Sequence, residues 1–358
     1  MGISIIKNRT KEYIKLVYTC PNYKKILNDL KHNTNSRIIL FGTPAHGNLG
    51  DQAIAISEMD YLCNIAGKRK VIEIPMPLFK THRKQIRRHI QQDDTIIISG
   101  GGWMGNLWIH NEITIREIVT DYKKNRVIIF PQTLYYTDDE YGIETAKDTK
   151  SIFDKHNDLI LTVRDLRSFE YAVKKLGFVP EQNLLFCPDM VVYGTLAMKS
   201  VNVPSEKIAL ICLRNDIEKK SDSSSIMQAL KDTGYKVMET STVLNKLIPM
   251  DKRVEAVELK IKEFGNASIV ITDRLHAMLF ALLAGTPCFA FDNTTGKVFG
   301  VGQYLQSNGM PVHLIESISE STINKAELFK KAYCLNDNLK EYFQRLEMIV
   351  NEKEIQKI

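Results

Sequence analysis

Residues 268–291, S-I-V-I-T-D-R-L-H-A-M-L-F-A-L-L-A-G-T-P-C-F-A-F, constrain the fold more than any other stretch. Ile269 to Ile271 is a β-branched apolar run, the composition of a buried strand. Ala277 to Leu283 is apolar on every face and reads as a helix enclosed by protein, which Gly285 and Pro287 stop. Cys288 to Phe291 resumes a short apolar strand. A strand–helix–strand unit implies a parallel sheet. The polar residues gather at the strand-to-helix junction: Thr272, Asp273, Arg274 and His276. Open α/β sheets bind ligands at such junctions, and the N–H groups of a helix start favour anions. Arg274 adds a forked, permanent cation, and His276 adds a group that moves protons near neutral pH. A plainer reading stands beside this one, with Asp273 as an N-cap and Arg274 and His276 as ordinary helix-start residues.

A chain of 358 residues exceeds the usual size of a single core, so two domains are expected. Apolar residues make up 44% and charged residues 25%, the balance of a soluble globular protein. The apolar runs fall short of the roughly 20 residues of a membrane span, and the N-terminus lacks a signal-peptide core. A cytoplasmic location is therefore expected. Cys20, Cys63, Cys187, Cys212, Cys288 and Cys334 lack CxxC spacing and read as reduced, buried small hydrophobes, not as a disulfide framework or a zinc site. A net charge of +6 is too mild to argue for nucleic acid. It suits an enzyme that handles anions or approaches an acidic membrane surface.

Strands alternate with helices along the rest of the chain. Residues 7–33 read as one or two helices broken at Pro21, with Ile14, Leu16 and Val17 as apolar contacts. After the strand Arg37 to Phe41 comes the glycine-rich loop G-T-P-A-H-G-N-L-G-D-Q-A-I (42–54), which lacks GxGxxG spacing. Its functional reading is close backbone approach to a ligand by Gly42, Gly47 and Gly50, with Asn48 and Asp51 at the loop end. Its structural reading is a tight turn in which Asn48 or Asp51 caps a helix. The basic stretch Lys80 to His89 is either a solvated helix or a contact for anionic headgroups. Thr95 to Ser99 leads into Gly100, Gly101 and Gly102, a run whose entropic cost suggests close approach to a ligand or a helix. Trp103 and Trp108 follow, candidate faces for a sugar. Arg164, after the strand Asp158 to Val163, repeats the geometry of Arg274, and Asp189 also lies just past a strand. The stretch 193–206 reads as a linker, 214–225 as a polar loop, and Lys297 after Gly296 as a phosphate contact. From about residue 320 the tail reads as two helices. The expected units are 1–195, 205–320, and tail helices 321–358 packing back on the first unit.

Five motifs in order, G-N-L-G-D-Q-A-I (47–54), S-G-G-G (99–102), V-R-D-x-x-S (163–168), P-D-M (188–190) and T-D-R-L-H-A-M (272–278), resemble the polysaccharide pyruvyltransferase family. The resemblance covers about residues 38–305 and is closest to enzymes of bacterial exopolysaccharide and capsule synthesis. It implies an α/β fold of two Rossmann-like domains facing a cleft, as in GT-B glycosyltransferases. It also implies transfer of pyruvate from phosphoenolpyruvate onto two sugar hydroxyls as a cyclic ketal. Carried over residue by residue, the donor site would comprise Arg164, Arg274, Leu275 through its backbone, and His276, with His276 and Arg274 catalytic. Asn48, Gly50, Asp51, the three glycines, Trp103 and Asp189 are acceptor-side or loop candidates.

The residue types suit that chemistry on independent grounds. Phosphoenolpyruvate carries a carboxylate and a phosphate on three carbons, so its site needs two cationic or N–H-rich pockets. A histidine suits proton delivery to the methylene carbon and removal of a hydroxyl proton. No cofactor and no metal are needed. The acceptor expected from pathway resemblance and the basic stretch is a lipid-linked oligosaccharide, with peripheral membrane association. Two alternatives remain: a glycosyltransferase using a nucleotide sugar, and a non-catalytic glycan-binding or scaffold protein.

Overall fold

The computed structural model describes residues 2–32, 35–202, 204–216, 218, 223–318 and 331–351. Helices α1 (Gly2–Thr19) and α2 (Tyr23–His32) lead into β1 (Arg37–Thr43), α3 (Leu49–Ile65), β2 (Lys70–Pro75), α4 (Met76–His89) and β3 (Thr95–Ile98). The first domain continues with β4 (Gly101–Gly105), α5 (Ile109–Asp121), β5 (Arg126–Tyr135), α6 (Glu140–Phe153), β6 (Leu159–Val163), α7 (Leu166–Tyr171) and β7 (Leu184–Phe186). The second contains β8 (Ile208–Cys212), α8 (Ser223–Asp232), β9 (Lys236–Glu239), α9 (Arg253–Gly265) and β10 (Ile269–Thr272). It goes on through α10 (Leu275–Leu283), β11 (Cys288–Ala290), α11 (Lys297–Ser307) and β12 (Val312–Leu314), and α12 (Asp337–Asn351) follows.

Both sheets are parallel. The first has the order β2-β1-β3-β5-β6-β7, and the second β12-β11-β10-β8-β9. Strands such as β1, β3, β6 and β10 are buried along their whole length, which is why they read as unbroken apolar runs. Each order reverses once, between β1 and β3 in the first sheet and between β8 and β10 in the second. Ligand crevices form at such reversals, outside the carboxyl strand ends. The two Rossmann-like domains face each other across a cleft, a GT-B-like architecture.

One apolar cluster joins the domains, running from Leu40 and Ile128 through α3 to Leu210, Val270 and Phe280. Helix α3 lies at the seam and is buried on several faces from Leu49 to Leu62. At its start the first domain pairs with the second. Leu49 N donates to Thr242 O and Leu244 N to Gly47 O, both at 2.8 Å, and Ile248 N donates to Ala45 O at 3.1 Å. A Cβ on Gly47 would lie 1.9 Å from Leu244 O. Deeper in the seam, Arg253 Nη1 of α9 pairs with Glu73 Oε1 of β2 at 2.6 Å. Helix α12 returns to the first domain, where Tyr61 Oη donates to Phe343 O at 2.7 Å and Arg126 Nη1 to Ile349 O at 3.0 Å.

Several local expectations need correcting. Past the triple glycine, Gly101–Gly105 runs on as β4 and pairs with β5. Gly101, at φ +138°, supplies the turn a side chain would resist. Leu16 is buried, but Ile14 and Val17 are exposed. Four of the cysteines are buried and unpaired, whereas Cys63 and Cys334 are exposed. The first tail helix expected from about residue 320 falls outside the described residues. Among the described residues no helix is long and apolar enough to cross a membrane.

A buried acid supports the glycine turn. Glu58 of α3 accepts hydrogen bonds from Gly100 N at 2.6 Å and Ser99 Oγ at 2.7 Å. Burial outweighs those bonds and pushes its carboxyl up to about 8.

Two measurements test these supports. Gly47→Ala forces backbone apart at the seam and costs about 1–3 kcal/mol, seen as a Tm lowered by a few degrees; an unchanged Tm would refute the tight seam. Because the folded value of Glu58 lies above its unfolded one, its contribution is complete below about pH 4.5 and is lost as pH rises through about 8. Relative to Glu58→Gln, the native protein therefore loses stability across that window, by at most ~1.4 kcal/mol per pH unit. A stability difference that stays flat with pH would show that Glu58 ionises freely.

Candidate functional site

The four loops at the two sheet reversals enclose a cavity of about 440 Å³. The first domain contributes the loops after β1 and β3, and the second those after β8 and β10. Arg164, just past β6, and Lys297, at the start of α11, complete its inner end.

Helix α10 begins as the sequence suggests, but with a different cap. Arg274 is the N-cap residue and its side chain makes no capping bond, so the first-turn N–H groups stay open to a ligand. Asp273 instead accepts from Arg214 N at 2.7 Å, which fixes the neighbouring loop. Arg274 is 7% exposed and makes no ion pair among the described residues. Its Nε donates only a long bond, 3.3 Å, to Leu213 O. A buried cation without a carboxylate is costly unless a ligand completes it.

His276 follows two residues later. Its Nε2 is buried with no hydrogen-bond partner among the described residues, and the nearest acid atom is Asp189 Oδ2 at 3.6 Å. The other edge of the ring lies flat on the opposite domain. A Cβ on Gly50 would meet His276 Nδ1 at 2.2 Å, so only glycine leaves room for the imidazole.

Arg164 comes from the first domain and is 1% exposed. Its Nε donates to Thr133 Oγ1 at 3.0 Å and its Nη1 to Asp189 Oδ2. Asp189 is fully buried and also accepts from Val191 N at 3.0 Å. Burial alone would raise its carboxyl, but the Arg164 guanidinium, and then His276, hold it well below the usual range. Asp189 is thus a fixed anion beside both Arg164 and His276.

The remaining candidates separate by role. Asn48 caps α3, its Oδ1 accepting from Gly50 N at 3.1 Å, and its Nδ2 donates to Asp51 Oδ2 at 2.7 Å. Asp51 lines the cavity with His46, whose Nε2 lies 3.6 Å from the same carboxylate oxygen. Gly100 is held by Glu58, whereas Gly102 faces the cations: a Cβ there would sit 3.2 Å from Arg164 Nη2 and 3.9 Å from Lys297 Nζ. Trp103 is not a free sugar platform. Its ring packs over Gly42 and its Nε1 donates to Gly100 O at 2.8 Å, while Trp108 is the exposed indole of the cavity wall. Arg83 and Arg87 in the basic stretch pair with Asp121, leaving Lys80 at the cavity. Among the described residues no three His, Cys, Asp or Glu side chains gather to hold a metal ion.

Sequence reasoning passed over Arg214 and Glu218 as parts of a polar loop. Arg214 follows β8 as Arg164 follows β6 and Arg274 follows β10, so the same strand-end rule would have found it. Glu218, 2% exposed, pairs with Lys297 Nζ at 2.7 Å and Arg214 Nη2 at 2.8 Å. Burial lowers the Lys297 ammonium and Glu218 opposes that shift, with the net direction downward. For Glu58, an acid inside a helix, no local signal exists.

A family model described as polysaccharide pyruvyl transferase matches residues 48–295. General stress protein 30 of Bacillus subtilis strain 168 is 30% identical over 270 residues, which cover 74% of this chain and 76% of that protein. Pyruvyl transferase 1 of Schizosaccharomyces pombe is 25% identical over 279 residues, covering 73% and 68% respectively. The crystal structure of KP1_0663 from Klebsiella pneumoniae superposes with a TM-score of 0.55 at 19% identity, over 84% of this chain and 99% of that one, a likeness of fold. The family match runs from the cap of α3 to the loop before Lys297, and so takes in the cavity loops after β3, β8 and β10 and the end of the loop after β1. The chain belongs to the polysaccharide pyruvyl transferase family.

Proposed function

We propose that the protein moves the pyruvyl group of phosphoenolpyruvate onto two hydroxyls of a sugar residue, forming a cyclic ketal and releasing phosphate. The observation that carries this reading is Arg274: a buried guanidinium with no ion pair among the described residues, beside an imidazole whose Nε2 makes no hydrogen bond there and has Asp189 Oδ2 at 3.6 Å. Arg164, Lys297 and the start of α10, with its open N–H groups, line the same cavity. Together they suit a small donor with two anionic groups.

In this scheme His276 gives a proton to the methylene carbon of the donor, leaving cation character on the carbon that bears phosphate. The first sugar hydroxyl adds to that carbon and returns its proton to His276. The second hydroxyl then displaces phosphate, which leaves with the remaining proton. Asp189, held ionised by Arg164, favours the imidazolium that starts the first transfer and is restored by the second.

For the acceptor, the reading is a lipid-linked oligosaccharide met at the cytoplasmic face of a membrane. Lys15 and Lys80 stand at the cavity, and α1 next to α4 exposes Tyr13, Ile14, Val17 and Tyr18 on one face. Aromatic and aliphatic groups among lysines are the composition of an interfacial surface.

The test is phosphate release from phosphoenolpyruvate that depends on added lipid-linked oligosaccharide, with the ketal methyl detected in the product. Release of a nucleoside diphosphate from a nucleotide sugar, or tight acceptor binding without turnover of any donor, would overturn the reading. Arg274→Ala is expected to weaken donor Kd by roughly tenfold to a hundredfold, the loss of one charge-assisted contact; an unchanged Kd removes Arg274 from the donor site. His276→Ala is expected to keep donor binding within a few-fold while kcat falls roughly 10²–10⁴-fold. Near-normal kcat in that variant would dismiss the proton-transfer role.

A further inference from the structure

Lys297 is a long side chain on the first turn of α11, and left alone its ammonium would wander in the cavity. Glu218 prevents that. Its Oε2 takes Lys297 Nζ at 2.7 Å and also accepts from Asn293 Nδ2 at 3.1 Å and Thr295 Oγ1 at 3.4 Å. Its Oε1 accepts from Arg214 Nη2 at 2.8 Å. One buried carboxylate thus gathers four donors from two loops of the second domain. With both oxygens engaged it is placed to hold cations and not to take protons from a substrate.

The loop that carries Lys297 is itself fastened to the first domain. Arg167 Nη1 donates to Thr295 O at 2.9 Å, and a Cβ on Gly300 would lie 3.1 Å from Asp165 Cβ. Across the seam Thr133 and Asp189 engage Arg164 Nε and Nη1, which turns Nη2 toward the glycine turn. Lys297 Nζ and Arg164 Nη2 consequently both border Gly102, where a Cβ would press on Arg164 Nη2 at 3.2 Å and reach Lys297 Nζ at 3.9 Å.

We infer that Lys297 and Arg164, closing from opposite domains over Gly102, form the socket for the phosphate of the donor, and that Glu218 is the positioning residue that holds Lys297 in it. This rests on the phosphoenolpyruvate reading for the identity of the donor, though a phosphate socket also stands apart from it. The carboxylate end of the donor then falls to Arg274 and the α10 N-terminus, which places the methylene carbon on the His276 side. Glu218 acts through Lys297 and touches no reacting atom.

The test uses the full chain and two probes, phosphoenolpyruvate and inorganic phosphate, with Kd measured by calorimetry for native protein, Glu218→Gln, Lys297→Met and the double variant. Each single change is expected to weaken phosphate and phosphoenolpyruvate binding by about tenfold to a hundredfold. The double variant should be no weaker than Lys297→Met alone, because Glu218 has nothing left to position. Acceptor KM should stay within twofold. Losses that multiply in the double variant would overturn the positioning role, as would unaltered phosphate binding in Glu218→Gln. Should Glu218→Gln fail to fold, Lys297→Met decides the socket alone and Glu218→Asp replaces it in the cycle. If native protein binds phosphate but not phosphoenolpyruvate, and Glu218→Gln weakens the phosphate, the donor reading fails while the socket holds.

Discussion

Everything at the centre of this molecule depends on a flat contact between two domains. The backbone at Gly47 and Gly50 lies against Leu244 and the His276 ring with no room for a side chain. That contact brings a loop from one sheet reversal onto the helix start at the other. Without it the two sets of carboxyl strand ends would be separate crevices, each with part of a site. With it the imidazole is packed against the opposite domain, and the neighbouring N–H groups face a shared cavity. A continuous apolar cluster behind the seam makes the arrangement stiff, since close-packed interiors resist small displacements.

The electrostatics follow one rule applied several times. A cation stands just past the carboxyl end of β6, β8 and β10, and another at the start of α11, and buried acids sort them into roles. Asp189 takes Arg164 and faces His276, Glu218 takes Lys297 and Arg214, and Arg274 makes no ion pair among the described residues. The acids set directions as much as charge. Each engages part of a cation and leaves the rest aimed at the cavity. Buried pairs of this kind are weak evidence for stability, because desolvation offsets attraction, but they fix geometry well.

Much of this was legible residue by residue. The β-branched strands, the apolar helix 275–283 and the polar junction between them follow from local composition and spacing, because buried parallel strands must be apolar on both faces. The motif set and its order gave the family. Less legible were features whose cause lies far away in the chain. Trp103 reads as an exposed aromatic after a loop, yet it is covered because Gly42 lets the ring pack on β1. Glu58 has the sequence context of a surface helix residue and is buried because Gly100 and Ser99 come to it from another strand end. Glu218 sits in a stretch that composition reads as solvated loop, and Lys297 with Arg214 makes it core.

The sequence by itself determined the elements, their parallel pairing and the residue types waiting at the strand ends, because these depend on neighbours within a few positions. Tertiary structure alone decided which of those residues face one another. Arg164 and His276 are 112 positions apart in the chain, and nothing local records that one aspartate lies between them. The reason is physical: a turn, a cap or a strand is set by short-range sterics and hydrogen bonds. A shared counter-ion, or a glycine cleared for another domain's side chain, exists only after the chain has closed on itself.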